Sequence, residues 1–138
     1  MSTAYYHGFR SVYRLNAHIV FVVKYRRKAI SEPILSRLQE IFKDTLHKWD
    51  CELLEFNGES DHVHLLIDYK PDKPLSTLIG NLKTVSSRLI RKENPYLSQK
   101  YFYGKPHFWT GSYFVASCGG VTVEQLKNYV ENQNYPKK

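Results

Sequence analysis

A chain of 138 residues, 42% hydrophobic and 24% charged, has the size and composition of one soluble domain with a single core. No apolar run approaches the roughly 20 residues of a membrane span, and the opening stretch MSTAYYHGFRSVYR holds no signal-peptide apolar region, so the expectation is a cytoplasmic protein with no membrane partner. The formal charge of +7 points to a polyanionic partner.

Two cysteines, Cys51 and Cys118, make no disulfide framework and no Cys-x-x-Cys pair. Both are expected to be buried small apolar residues in a reducing compartment. Eleven tyrosines stand in the chain, many beside cations, as in Lys24-Tyr25-Arg26-Arg27, Asp68-Tyr69-Lys70 and Lys100-Tyr101-Phe102-Tyr103. Cations track a phosphate backbone and exposed rings stack on unpaired bases, which favours single-stranded nucleic acid. A basic protein with a tyrosine-rich core would show the same composition.

In chain order, residues 12–25 (VYRLNAHIVFVVKY) are rich in β-branched and aromatic residues and predict a central strand. Ser31 caps a helix with Glu32 and Pro33 in its first turn. Ile34, Leu35, Leu38, Ile41, Phe42, Leu46 and Trp49 then repeat at helical spacing to about Asp50. Residues 51–56 (CELLEF) predict a second strand, with Asn57-Gly58 opening the turn of an antiparallel hairpin.

The returning strand, residues 61–68 (DHVHLLID), alternates. Side chains two apart share a face, so His62 and His64 project together while Val63, Leu65 and Ile67 face a core. Two neutral imidazoles each offer a lone pair to a metal. Two ligands are nevertheless fewer than sites usually need, and a pair of half-exposed strand histidines without a task fits equally. After a loop over 70–74, Ser76 starts a second amphipathic helix with Leu75, Leu78, Ile79, Leu82, Val85, Leu89 and Ile90 inward. Lys83, Arg88, Arg91 and Lys92 are placed on its outer face, either solvated or contacting phosphate. Residues 94–111, aromatic, basic and broken by Pro and Gly, predict a loop with limited regular structure. Residues 112–117 (SYFVAS) form the fourth strand.

Gly119-Gly120 breaks the chain, and Thr122 with Gln125 makes a capping box for a final helix. There Val123, Leu126 and Val130 form a narrow apolar stripe, and Tyr129 and Gln133, four apart, lie on one flank. A surface Tyr and Gln would look the same. The element order β-α-β-β-α-β plus a terminal helix is an α+β, ferredoxin-like split βαβ arrangement, an antiparallel sheet with helices on one face. Such a fold hosts many functions and decides none.

Taken together, the His-hydrophobic-His strand, this topology and a late helix with Tyr-x-x-x-Gln resemble the HUH superfamily of single-stranded DNA nucleases. The closer resemblance is to the small single-tyrosine transposases of bacterial and archaeal insertion sequences, with their REP-associated relatives. It covers nearly the whole chain, through the stretch His18 to Arg26 (HIVFVVKYR), Asp61-His62-Val63-His64-Leu65-Leu66, Phe108-Trp109 before Ser112-Tyr113, and Tyr129-Val130-Glu131-Asn132-Gln133.

The resemblance implies that His62 and His64 bind a divalent metal, that Gln133 completes the ligand set, and that Tyr129 is the catalytic nucleophile. Mg²⁺ or Mn²⁺ would be the working ion, although imidazoles also accept zinc or nickel. It further implies a homodimer in which the tyrosine helix of one subunit can serve the histidines of the other. The chain then divides into a body over 1–118, a hinge over 119–121, and a tyrosine helix and tail over 122–138. The implied activity is that of a metal-dependent transposase, cutting and rejoining single-stranded DNA at hairpin ends of its element through a 5′-phosphotyrosine. Rival expectations are a domesticated relative that cuts palindromes, a non-catalytic nucleic-acid-binding module, and a His-x-His metalloenzyme acting on small molecules, which the basic charge disfavours. His18, His107, Lys127 and Asn132 have no role assigned from sequence.

Overall fold

The computed structural model describes residues 6–8, 11–13 and 15–117. Short strands β1 (Tyr6–Gly8) and β2 (Ser11–Tyr13) pair antiparallel in a two-stranded sheet of their own. The main sheet contains β3 (Leu15–Val22), β4 (Glu52–Glu59), β5 (His62–Tyr69) and β6 (Phe114–Ser117) in the antiparallel order β4-β5-β3-β6. Helices α1 (Glu32–Lys48) and α2 (Leu75–Glu93) complete the expected ferredoxin-like order. No described helix is long and apolar enough to cross a membrane. The Cys118 burial, the glycine hinge and the tyrosine helix all lie outside the described residues.

The alternation in β3 and β5 divides the sheet into two faces. Ile19 and Phe21 of β3, with Val63, Leu65 and Ile67 of β5, pack against Leu38, Phe42 and Leu46 of α1 and Leu78, Ile79 and Leu82 of α2. Phe21 and Phe42 meet at 5.8 Å between ring centroids, and Trp109 joins both. Helix α1 begins where expected. Ser31 takes the extended N-cap conformation, but its side chain makes no capping hydrogen bond. The helix stops in a Schellman arrangement: Asp50 turns left-handed at φ 58°, and the amides of Asp50 and Cys51 donate to the carbonyls of His47 and Leu46.

Four expectations need correction. The first strand is not continuous over 12–25: β3 ends at Val22, Val23 bridges to Trp109, and Lys24–Arg26 form a 3₁₀ turn. Helix α2 starts one residue earlier than Ser76, at Leu75 behind Pro74. Residues 94–111 are more ordered than a loop. They contain α3 (Tyr96–Tyr101), and Leu97, Phe102, Phe108 and Trp109 are buried. The indole N–H of Trp109 donates to Ser86 Oγ at 2.9 Å, which anchors the segment on α2. Aromatic density, read as loop chemistry, here supplies core.

The fourth correction concerns the hairpin. Asn57 and Gly58 stand inside β4, paired with His64 and Val63, and the turn is made by Ser60 and Asp61. Gly58 serves close packing, since a Cβ there would lie 2.6 Å from Leu35 Cδ1, 2.8 Å from Val63 Cγ1 and 3.1 Å from the His62 carbonyl oxygen. Leu35 can swing aside, whereas a valine methyl and a backbone oxygen cannot. Gly58→Ala is expected to cost about 1–3 kcal/mol through overpacking, read as a lower urea midpoint. An unchanged midpoint would show that the hairpin relaxes freely.

Candidate active site

The second face of the sheet carries the histidine pair. Register places His64 opposite Val20 of β3 and Asn57 of β4, and His62 opposite Val22 and Glu59. His18, opposite Leu66 and Ala116, belongs to this same face. The two histidines therefore project together, as the alternation requires. Their rings lie nearly parallel, 17° apart, with centroids separated by 6.4 Å. Among the described residues no group of three or more His, Cys, Asp or Glu gathers as a metal centre, so the pair alone falls short of the three protein ligands typical of reactive sites. Tyr129 and Gln133 lie outside the described residues.

The hairpin turn holds His62 in place. The Asp61 carboxylate is 2.9 Å from His62 Nδ1 through one oxygen and 2.7 Å from Arg26 Nε through the other. The Nδ1–H tautomer donating to Asp61 leaves the Nε2 lone pair free for a ligand, the arrangement by which carboxylates orient metal-binding histidines. Arg26 reaches Asp61 because the 3₁₀ turn follows β3 directly and the Val23 amide donates to the Asp61 carbonyl at 2.9 Å. Its Nη1 is shielded from solvent and finds no hydrogen-bond partner among the described residues. Burial, and then the neighbouring His62 and His18, hold the His64 pKa below its ordinary value. That keeps His64 a neutral lone-pair donor further into the acid range.

Sequence reading missed Asp61, Arg26 and Glu59 as neighbours of the pair. Asp61 adjoins His62 in sequence and could have been found as a hairpin carboxylate, but Arg26 and Glu59 needed the register. Lys83, assigned to the outer face of α2, instead turns toward the aromatic segment. Its Nζ donates to the Thr110 carbonyl at 2.6 Å and sits 5.7 Å from the Tyr113 ring, and burial lowers its pKa. Cys51 is buried as expected, and burial pushes its thiol pKa up, which suits a packing residue and not a nucleophile.

Known proteins are similar to this chain in sequence and in architecture. The family model described as "Transposase IS200 like" matches residues 11–133. The ISDra2 transposase TnpA of Deinococcus radiodurans is 28% identical over 123 residues, spanning 89% of this chain and 86% of its own. The transposase for insertion sequence element IS200 of Salmonella typhimurium is 28% identical over 116 residues, spanning 84% and 74%. Among solved structures, a candidate transposase from Deinococcus radiodurans R1 superposes with a TM-score of 0.86 at 27% identity, over 95% of this chain and 99% of the other. A REP-associated tyrosine transposase bound to a REP hairpin superposes with a TM-score of 0.57 over 92% of this chain and 67% of that one, and at 11% identity it shares the fold.

Proposed function

The chain belongs to the IS200-like transposase family, and from that membership we propose that it cuts and rejoins single-stranded DNA through a covalent bond to Tyr129. The observation that supports this most directly is the parallel projection of His62 and His64 from a central strand, with His62 oriented by Asp61. His62, His64 and Gln133 are the residues that would hold a divalent ion, Mg²⁺ or Mn²⁺, which when bound polarises the scissile phosphate as a Lewis acid.

The protein's own part is nucleophilic. The Tyr129 oxygen attacks phosphorus, the bond from phosphorus to O3′ breaks, and the departing strand end takes up a proton as a free 3′-OH. The tyrosine hydroxyl proton passes to solvent. A free tyrosine, with a pKa of about 10, is a weak nucleophile at neutral pH, so positioning against the phosphate matters as much as identity. The phosphotyrosine conserves the energy of the broken bond, so a second 3′-OH can attack it, join strands and restore Tyr129. Strand transfer thus needs no external energy source. Hairpin ends as substrate, a homodimer as the active form and a hinge over 119–121 belong to the same proposal.

Labelled single-stranded DNA from the flanks of the gene, incubated with protein and Mg²⁺ and resolved on a denaturing gel, tests it. A protein–DNA adduct that disappears with EDTA is the expected outcome. Binding without an adduct, across several flanks and metals, would replace the transposase chemistry with a non-catalytic binding module. A second expectation concerns the carboxylate that orients His62. Asp61→Asn should weaken Mn²⁺ affinity roughly 10- to 100-fold by disturbing tautomer and ring orientation. Unchanged affinity in a calorimetric titration would make Asp61 a purely structural partner of Arg26.

A further inference from the structure

Two aromatic-basic stretches far apart in sequence meet at the His62 end of the sheet. The 3₁₀ turn presents Tyr25, and the segment after α3 presents Tyr103, their ring centroids 5.9 Å apart at 68°. Arg27 completes a triangle with them. Its guanidinium carbon is 5.7 Å from each ring centroid, its Nη2 donates to the Tyr103 hydroxyl at 2.9 Å, and its Nε donates to the Tyr101 carbonyl. Lys24 Nζ stands 5.4 Å from the Tyr25 ring, and His107 meets the same ring edge-on at 6.4 Å.

The hydrophobic core does not account for this cluster. Tyr25 is 41% exposed and Tyr103 70% exposed, and neither belongs to the core. Tyr25, Arg26 and Tyr103 all adopt left-handed backbone, with φ of 58°, 53° and 55°, a conformation that non-glycine residues adopt at a cost. Residues held in left-handed backbone concentrate at functional sites, and here two of them hold aromatic rings in water. The cluster is also tied to the chemistry. Arg26, between Tyr25 and Arg27, is the residue that pairs with Asp61, and Asp61 orients His62.

We infer that Tyr25, Arg27 and Tyr103 form a stacking platform for an unpaired nucleobase of the DNA strand, next to the histidine pair. The inference rests on the single-stranded DNA function proposed above and adds the residues that grip the strand beside the site. Exposed rings with adjoining cations suit a planar base that carries a phosphate on either side. A base within a duplex has both faces covered and cannot use the platform. The rings therefore discriminate between single and double strands, while the cations contribute to both.

Fluorescence anisotropy with a labelled single-stranded oligothymidylate and a labelled duplex of the same length tests this without requiring cleavage. Tyr25→Ala and Tyr103→Ala should each weaken single-strand binding roughly 5- to 100-fold and leave duplex binding unchanged. Tyr25→Phe and Tyr103→Phe keep the ring and should restore affinity, including Tyr103→Phe, which loses only the hydroxyl bonded to Arg27. Tyr96→Ala, at an exposed tyrosine outside the cluster, is the control and should leave both affinities unchanged. Equal losses on single strand and duplex would overturn the platform, as would wild-type single-strand affinity in both alanine variants. Circular dichroism of each variant separates loss of binding from loss of fold. If the wild-type protein forms no adduct in the gel while the tyrosines still govern oligothymidylate binding, the platform stands and the cleavage chemistry fails. An adduct together with unaltered binding by both alanine variants leaves the cleavage chemistry standing and removes the platform.

Discussion

Tyr129→Phe is expected to abolish both the protein–DNA adduct and the cut strand, a rate loss of at least about 10³-fold, because it removes the hydroxyl proposed above as the covalent nucleophile. Affinity for the same single strand should stay within about twofold, since phosphate contacts and base stacking dominate binding and the change removes one oxygen. The pair of readouts is what makes the variant informative. Loss of binding in a folded variant would assign Tyr129 to DNA recognition. A persistent adduct would move the nucleophile to another residue. A silent substitution in a protein that never forms an adduct would leave a binding module.

His62→Ala and His64→Ala carry the second large effect. Each removes one of two imidazoles on a face where, among the described residues, no further cluster of metal-binding side chains gathers. Mn²⁺ affinity should fall by more than about 100-fold in either variant, beyond the range seen when only a supporting residue is changed. If calorimetry shows unaltered binding in both, the metal site lies elsewhere.

His64 adds a pH signature in the metal-free protein. Its folded pKa is depressed below 6.5, first by burial and then by His62 and His18. The unfolded chain therefore takes up the proton before the folded one. The stability associated with neutral His64 is complete above pH 6.5 and is lost as pH falls through the lower folded value. In EDTA the melting temperature should decline over that interval and level off below it, and His64→Ala should remove this component. A decline of equal size in His64→Ala would assign the pH dependence to other groups.

Much of the fold was legible because periodicity is a local property. The alternation of residues 61–68 identified the buried Val63, Leu65 and Ile67 and placed both histidines on the other face. The 3.6-residue pattern after Ser31 likewise identified Leu38, Phe42 and Leu46. The misreadings came where long-range contacts outweighed local signals. Asn57-Gly58 has strong turn chemistry, yet both residues pair with β5 inside a strand, and the glycine answers to close packing, since Leu35 and Val63 crowd the place of a Cβ. Lys83 sits at a helix position that reads as exposed, yet a carbonyl and a ring from residues 110–113 draw it inward. Leu97, Phe102, Phe108 and Trp109 lack a regular period because they fill irregular space beneath a connecting segment, and only the packing shows that they are core.

The order of residues thus carries the element order, the pairing of His62 with His64 on one face, the basic and aromatic character of the surface, and a family resemblance that whole-chain comparison bears out. Those properties follow from neighbours along the chain, from alternation, helical spacing and charge. Only the folded arrangement shows that Asp61 links Arg26 to His62 and that His18 shares their face. It also brings Tyr25 and Tyr103, 78 positions apart in number, against each other and against Arg27. Such contacts depend on strand register and on how a connecting segment packs, and both are set by burying the opposite face of the sheet, not by the residues that meet.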